Sequence, residues 1–260
     1  MRALRLVVIF LRNSLQTEME YRANLLASAL TSVLSCAMAI LTLAAMFGQT
    51  DSVGGWTLPQ MIGLFGVTLI LEGLIDSWLY PSLNAISEYV RQGELDLLLV
   101  RPVNSQFIVS FRHLRIWYGP NILLGLAAVF YSMADQDTLT LLNFALFLML
   151  MVSATAILYA IWLAASTLSF WFTKVGEVSI IAYTLMETGR FPVTAYPAWA
   201  RFALTFIIPI AFITNVPAQA ALGQLTPAGA FLAMGAGIVA LILGSLFWRF
   251  GLSRYSSASS

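Results

Sequence analysis

The chain has 260 residues, 60% of them hydrophobic and 10% charged, with a mean hydropathy of +0.85; soluble domains carry about 25% charged residues, so that class is excluded and there is room for about six membrane crossings of roughly 20 residues each. With 13 basic and 12 acidic residues the net charge is +1, which gives no reason to expect a nucleic-acid partner. Cys36 is the single cysteine, excluding an intrachain disulfide and a cysteine-based metal cluster.

At the start of the chain, Leu4, Val7, Val8, Leu11, Leu15 and Met19 interleave with Arg5, Arg12, Asn13, Gln16 and Glu20 at a helical period. This predicts an amphipathic helix lying in the membrane surface over residues 1–22; a frayed tail is the competing reading. The apolar run 6–11 is broken by Arg12, shorter than the roughly 7–15 residues of a cleaved signal core, so the segment is expected to stay on the mature chain.

Charge-free stretches mark the crossings of a transmembrane domain over residues 23–250, because an ionised side chain at the bilayer centre costs about 2.5–3.5 kcal/mol on insertion scales. Residues 23–50 hold the first span and 48–55 form a turn-rich loop, with Trp56 placed as an interfacial aromatic. The second span covers about 57–80, closed by Pro81; a polar connection runs to Arg115, and the third span is 116–133. After a turn at 134–137 the fourth lies within 138–173, and Lys174 to Glu177 is a polar break. The fifth, from Val178 to Met186, is short or interrupted, because Glu187, Arg190, Pro192 and Pro197 follow at once. The run 202–248 carries no charge but holds Pro209, Pro217 and Pro227. It divides most simply into a half-helix at 202–216 that enters and returns, then a sixth span at 227–248 and a tail at 251–260. Broken backbone at membrane depth is tolerated when it is buried in protein or lines a cavity, so segment 189–226 is expected to line something; a seventh span is the alternative.

With six spans, 11 of the 13 Lys and Arg residues fall on one side and Arg190 and Arg201 on the other. The positive-inside rule then puts both termini in the cytoplasm.

No phosphate-binding Gly-x-x-x-x-Gly-Lys-[Ser/Thr] loop and no Gly-x-Ser-x-Gly elbow occurs, and His113 is the single histidine. Catalysis is therefore not expected, nor is a metal or cofactor bound by this chain. Glu72 and Asp76 are the ionisable pair within a predicted span, on one helix face by their i, i+4 spacing. They fit a structural pair reached by water or by an arginine such as Arg91 or Arg112, or the relay of a proton-coupled transporter.

Between the second and third spans, over residues 81–104, Leu83, Ile86, Val90, Leu95, Leu97, Leu98 and Leu99 alternate with Glu88, Arg91, Glu94 and Asp96 around Gly93. The pattern reads as a short amphipathic helix, a turn and a second element, whose apolar ridge would dock on a partner protein or pack on the membrane surface.

Gly93-Glu94-Leu95-Asp96 followed by Leu98 and Arg101-Pro102 resembles the Gly-x-Leu-Asp-x-x-Leu-x-x-Pro segment of bacterial ABC type-2 exporter permeases, in the six-span branch that includes viologen exporter permeases. Arg190-Phe191-Pro192, Tyr196-Pro197 and the stretch from Phe206 through Pro209 to Pro217-Ala218 are similar to the outer segment of the same branch. Asn215-Val216 departs from it, where many relatives carry an aromatic.

The resemblance implies an all-α ABC-2 (type V) exporter fold: six transmembrane helices, an N-terminal interfacial helix, a cytoplasmic coupling helix and a broken re-entrant segment before the last span. It implies a permease in the bacterial plasma membrane, paired with a second copy or a sister permease. Two separate ATPase subunits, holding the ATP and Mg, would drive it. Glu88, Arg91, Gly93, Glu94, Leu95 and Asp96 become the ATPase contacts. Arg190, Phe191, Pro192, Tyr196, Pro197, Pro209 and Pro217 become the extracellular gate. The aromatic content of 13% favours a hydrophobic or amphipathic cargo such as a lipid, glycolipid or drug. A lone secondary transporter using Glu72 and Asp76, and a noncatalytic scaffold, are the other classes considered.

Overall fold

The computed structural model describes residues 22–100, 102–172, 183, 184 and 186–255, together with Phe10, Arg12 and Ser14. Nearly all of the expected surface helix 1–22, the polar break 174–177, most of the expected fifth span and the end of the tail lie outside the described residues.

Among the described residues the regular structure is helical. Helix α1 is Arg22–Phe47. Helix α2, Leu58–Leu74, passes through a π-turn at Ile75–Leu79 into α3, Tyr80–Gln92. Two short helices follow, α4 at Leu95–Leu99 and α5 at Ser105–Phe111. Next come α6 at Gly119–Asp135 and α7 at Leu141–Thr167. The return segment holds α8, Ala198–Phe202, and α9, Val216–Ala221, and the chain closes on α10, Pro227–Arg254. Among the described residues four stretches are long and apolar enough to cross a membrane: Ala29–Phe47, Leu58–Gln92, Leu141–Phe170 and Pro227–Arg254. The third predicted span is the 17-residue α6, about 26 Å long, with a 3₁₀ turn at Ile116–Tyr118 ahead of it.

Pro81 does not close the second span, as the sequence pattern suggested; the helix runs on for 35 residues, Leu58–Gln92. Proline lacks an N–H and its ring crowds the carbonyl four residues back. The π-turn widens the backbone just ahead of it, and the freed Ser77 carbonyl accepts from the Arg115 amide at 2.7 Å. The continuous helix carries one unbroken buried stripe, with Leu64, Leu71, Ile75, Leu79, Leu83 and Ile86 all fully buried. Trp56, expected at an interface, is buried at the head of α2, where its backbone pairs with Val53.

Small residues set the helix contacts. On α10, Gly237, Gly244 and Gly251 lie against Ser153, Ala160 and Thr167 of α7. Both sets repeat every seven residues in the same direction, so the two helices run parallel with heptad packing, and the small side chains allow the close approach that membrane helices favour. Ser153 Oγ donates to the Ala233 carbonyl across this seam at 2.6 Å. Helix α6 lies antiparallel to α2, with Gly125 against Gly66 and Ile122 against Gly73. Helix α1 leans on α2 and α6 and turns Leu26, Leu30, Val33, Met38 and Leu41 outward.

Candidate functional site

The two ends of the bundle differ, and each carries one of the predicted residue sets. At one end α3 projects beyond the apolar stripe. Gly93, in the left-handed region at φ 72°, ends it, a conformation glycine adopts without strain. Helices α4 and α5 then fold back. The hairpin is fastened to the bundle by polar contacts. Trp78 Nε1 donates to the Ser110 carbonyl at 2.7 Å, Ser82 Oγ to the His113 carbonyl at 2.5 Å, and the Tyr89 hydroxyl lies 2.5 Å from His113 Nε2. The Arg112 guanidinium sits over the Tyr89 ring, 5.0 Å from its centroid. His113 keeps an exposed edge, yet burial around its ring, followed by the charges of Arg112 and Arg115, holds its pKa below the ordinary value.

Of the six predicted coupling residues, five lie along the outside of this hairpin. Arg91 pairs with Glu88, which also accepts from Gln92; Gly93 and Glu94 follow at the turn, and Asp96 approaches the Tyr255 phenol at the end of α10. Leu95 is the correction: it is fully buried, as are Leu83 and Ile86, so most of the predicted apolar ridge packs into the bundle and Leu97 alone of its members stands fully out. The exposed apolar side chains are instead Leu97, at 71%, and Val100, at 85%.

At the other end lies the return segment. Three contacts follow α2 upward: the Tyr183 hydroxyl donates to Asp76 at 2.5 Å, Arg190 pairs with Glu72 at 2.9 Å, and Thr194 Oγ1 donates to the Gly54 carbonyl at 2.6 Å. Phe191 packs on the core and Pro192 is buried. The Tyr196 hydroxyl donates to the Thr188 carbonyl at 2.9 Å, and Pro197 precedes α8. The stretches Ala198–Ile207 and Ala211–Ala221 meet at a 78° bend. Ile208, at φ −117° and ψ 100°, is extended because the residue before a proline is pushed out of the helical region, and that proline is Pro209. Pro217 follows the π-turn Ala211–Asn215 as Pro81 follows its own. The segment starts beside Gly54 and ends at Ala221, whose carbonyl accepts from Thr138 in the α6–α7 turn. Both loops are at the same end of the bundle, so the bent pair starts and finishes at that end.

Glu72 and Asp76 are thus engaged by Arg190 and Tyr183, not by Arg91 or Arg112 as the sequence suggested. Helix α3 carries Arg91 away from Glu72, where it meets Glu88, and Arg112 is held on Tyr89. Nothing in this arrangement supports a proton relay. Among the described residues no three His, Cys, Asp or Glu side chains come close enough to hold a metal ion.

The family model for ABC-2 family transporter proteins matches residues 33–259. The chain belongs to the ABC-2 transporter family. No curated protein and no solved structure matches it. Membrane components of the ABC-2 family are not themselves ATPases and generally pair with ABC ATPase subunits.

Three features of this ABC-2 chain escaped the sequence reading. Asn215, which looked like a departure from a familiar pattern, is buried; its Oδ1 accepts from the Val193 amide at 2.8 Å and its Nδ2 donates to Thr214 Oγ1 at 3.0 Å. An asparagine within a charge-free, largely apolar run, two residues ahead of a proline, was the available signal. Gln106 Nε2 donates to the Tyr159 hydroxyl and to Ser245 Oγ, each at 3.0 Å, joining α5 to α7 and α10. Tyr183 had no signal beyond its place near the end of an apolar run.

Proposed function

We propose that this chain is the transmembrane permease subunit of an ATP-binding cassette exporter. It makes six crossings of a bacterial plasma membrane with both termini cytoplasmic, pairs with a second permease copy or a sister permease, and is driven by two separate ATPase subunits. The α3–α5 hairpin is the coupling element that meets the ATPase, and the return segment 189–226 is the extracellular gate. The cargo is hydrophobic or amphipathic.

The observation that carries this reading is the uninterrupted helix Leu58–Gln92. It is about 52 Å long against a hydrocarbon core of about 30 Å, so it extends past the membrane as a stiff lever. The hairpin beyond its far end exposes Leu97 and Val100, close in sequence to the charged Arg91 and Glu94, the composition of a surface that docks into a groove. The lever's membrane part is tied to the gate through Glu72–Arg190, and to the stretch leading into the gate through Asp76–Tyr183. ATP binding shifts the equilibrium to the extent that the ATPase pair binds the two lever positions differently.

The test is co-purification with the ATPase encoded beside this chain, followed by reconstitution. Leu97→Asp and Val100→Asp, both at exposed positions, are expected to lower ATPase binding at least tenfold while leaving the thermal unfolding midpoint of the permease unchanged. Glu94→Ala is expected to leave ATP hydrolysis running with export reduced. A chain that binds no ATPase and exports nothing with ATP would end the proposal.

A further inference from the structure

Beside the hairpin, α2, α5, α6, α7 and α10 surround an open cavity of about 1240 Å³, larger than the roughly 300–1,000 Å³ of a site for a drug-sized molecule. Its walls are apolar, with Leu74, Phe147, Met151 and Leu241 among them, and it opens on the flank of α7 where Val152 is 71% exposed. Its polar groups are gathered at one end. Ser110 Oγ and the Tyr159 hydroxyl share a hydrogen bond at 2.8 Å, and Gln106 joins them through Nε2. Among the described residues, none of those lining it carries a charge.

The membrane level of this polar end can be read from two helices independently. Trp78 lies about 30 Å of helix below Leu58, and Tyr159 about 27 Å below Leu141, each close to one hydrocarbon thickness from the opposite end of the bundle. The two rings stack at 6.0 Å, and Trp and Tyr favour the headgroup level. From Phe147 to Tyr159 the groove follows α7 for about 18 Å, close to the depth of a single leaflet. An apolar trough one leaflet deep, open to the side and polar at headgroup height, has the layout of half a bilayer.

We propose that this groove is a binding site for one membrane lipid with an uncharged headgroup. The acyl chain lies along Phe147, Met151 and Val152, and a hydroxyl or amide head is held by Gln106, Ser110 and Tyr159. Amide, hydroxyl and phenol groups both donate and accept, matching a neutral head; an anionic phosphate would find no cation among the described lining residues. The inference rests on the chain lying in a bilayer and does not depend on ATP-driven export.

The experiment uses the full chain in nanodiscs without any ATPase, so its failure leaves the permease proposal standing. A photoactivatable diacylglycerol is expected to label α7 and α5 peptides. Val152→Trp fills the mouth from an exposed position and is expected to lower that labelling at least fivefold. Leu243→Trp, exposed elsewhere on α10, is expected to leave it unchanged. On the unaltered chain, unlabelled diacylglycerol is expected to compete and phosphatidylglycerol at the same mole fraction is not. Equal labelling of the two tryptophan variants would overturn the site, and equal competition by phosphatidylglycerol would overturn the neutral headgroup. If a photoreactive residue at position 152 captures residues 1–21 of this chain or a second copy of it in place of lipid, a protein segment occupies the groove and the proposal is lost.

Discussion

The amide of Arg115 donates to the carbonyl of Ser77 at 2.7 Å, and Ser77 is the residue four positions before Pro81. A proline in a helix interior costs about 3 kcal/mol, partly because that carbonyl loses its partner. Here the loop entering α6 supplies the partner, and a π-turn, a feature frequent at functional sites, absorbs the ring. The long helix Leu58–Gln92 and the turn that enters α6 are thereby joined. Pro81→Ala restores an N–H at residue 81 that competes for Ser77 and lets the π-turn tighten. The Arg115 amide is expected to exchange with solvent about tenfold faster, equivalent to about 1.4 kcal/mol, with the fold intact. Native-state hydrogen exchange checks this, and unchanged protection at Arg115 would show that the proline does not govern the joint.

Glu72 and Arg190 tie α2 to the return segment. Removing one partner of a fully buried ion pair costs about 3–5 kcal/mol. Arg190 keeps 43% and Glu72 20% of its side chain exposed, so Glu72→Gln and Arg190→Gln are each expected to cost about 1–3 kcal/mol. The double variant should recover about 1 kcal/mol relative to the sum of the singles, since contacting residues couple. Unfolding of the four proteins in detergent gives the cycle; strict additivity would mean the contact contributes nothing.

His113 makes the hairpin sensitive to acid. Its folded pKa lies below the ordinary value of 6.5 because of burial first and Arg112 and Arg115 second. The folded chain therefore holds fewer protons on this group than the unfolded chain, and stability rises with pH through the window. The contribution is complete above about pH 6.5 and is lost as pH falls toward the folded pKa, when the ring protonates beside two arginines. The unfolding midpoint is expected to drop between pH 7.5 and 5.5 more steeply for the unaltered chain than for His113→Gln. Parallel slopes would assign the pH dependence to other groups.

Composition and charge-free runs were enough to identify a helical membrane chain and to outline its long helices, because burying apolar surface and excluding charge act on local sequence. The coupling stretch showed in its amphipathic pattern. Which side of that pattern faces inward was not readable: Leu95 and Leu97 are chemically alike, and the packing of α4 against the bundle decides between them. Pro81 misled for a related reason. Its local rule, that a proline ends a helix, holds unless another segment takes up the orphaned carbonyl, and Arg115 lies 34 positions away. The partners of Glu72 and Asp76 were hidden likewise, since pairing across about 110 residues depends on how the return segment climbs α2.

Asn215 offers the sharpest test of that climb. Its Oδ1 satisfies the Val193 amide in a buried setting, and leaving such a donor unpaired costs about 1–3 kcal/mol. Asn215→Leu keeps the volume and loses the acceptor, so it is expected to destabilise the chain by about that amount. Arg190 and Val193 sit three residues apart on the same rising stretch, one fastened to Glu72 and the other to Asn215. Once either fastening is cut the stretch lifts, and the other is worth less. Asn215→Leu combined with Arg190→Gln is therefore expected to cost less than the two singles together, by about 0.5–1 kcal/mol. Thermal unfolding of the singles and the double decides it, and a double variant that loses the full sum would show that the two ends of this stretch are held independently.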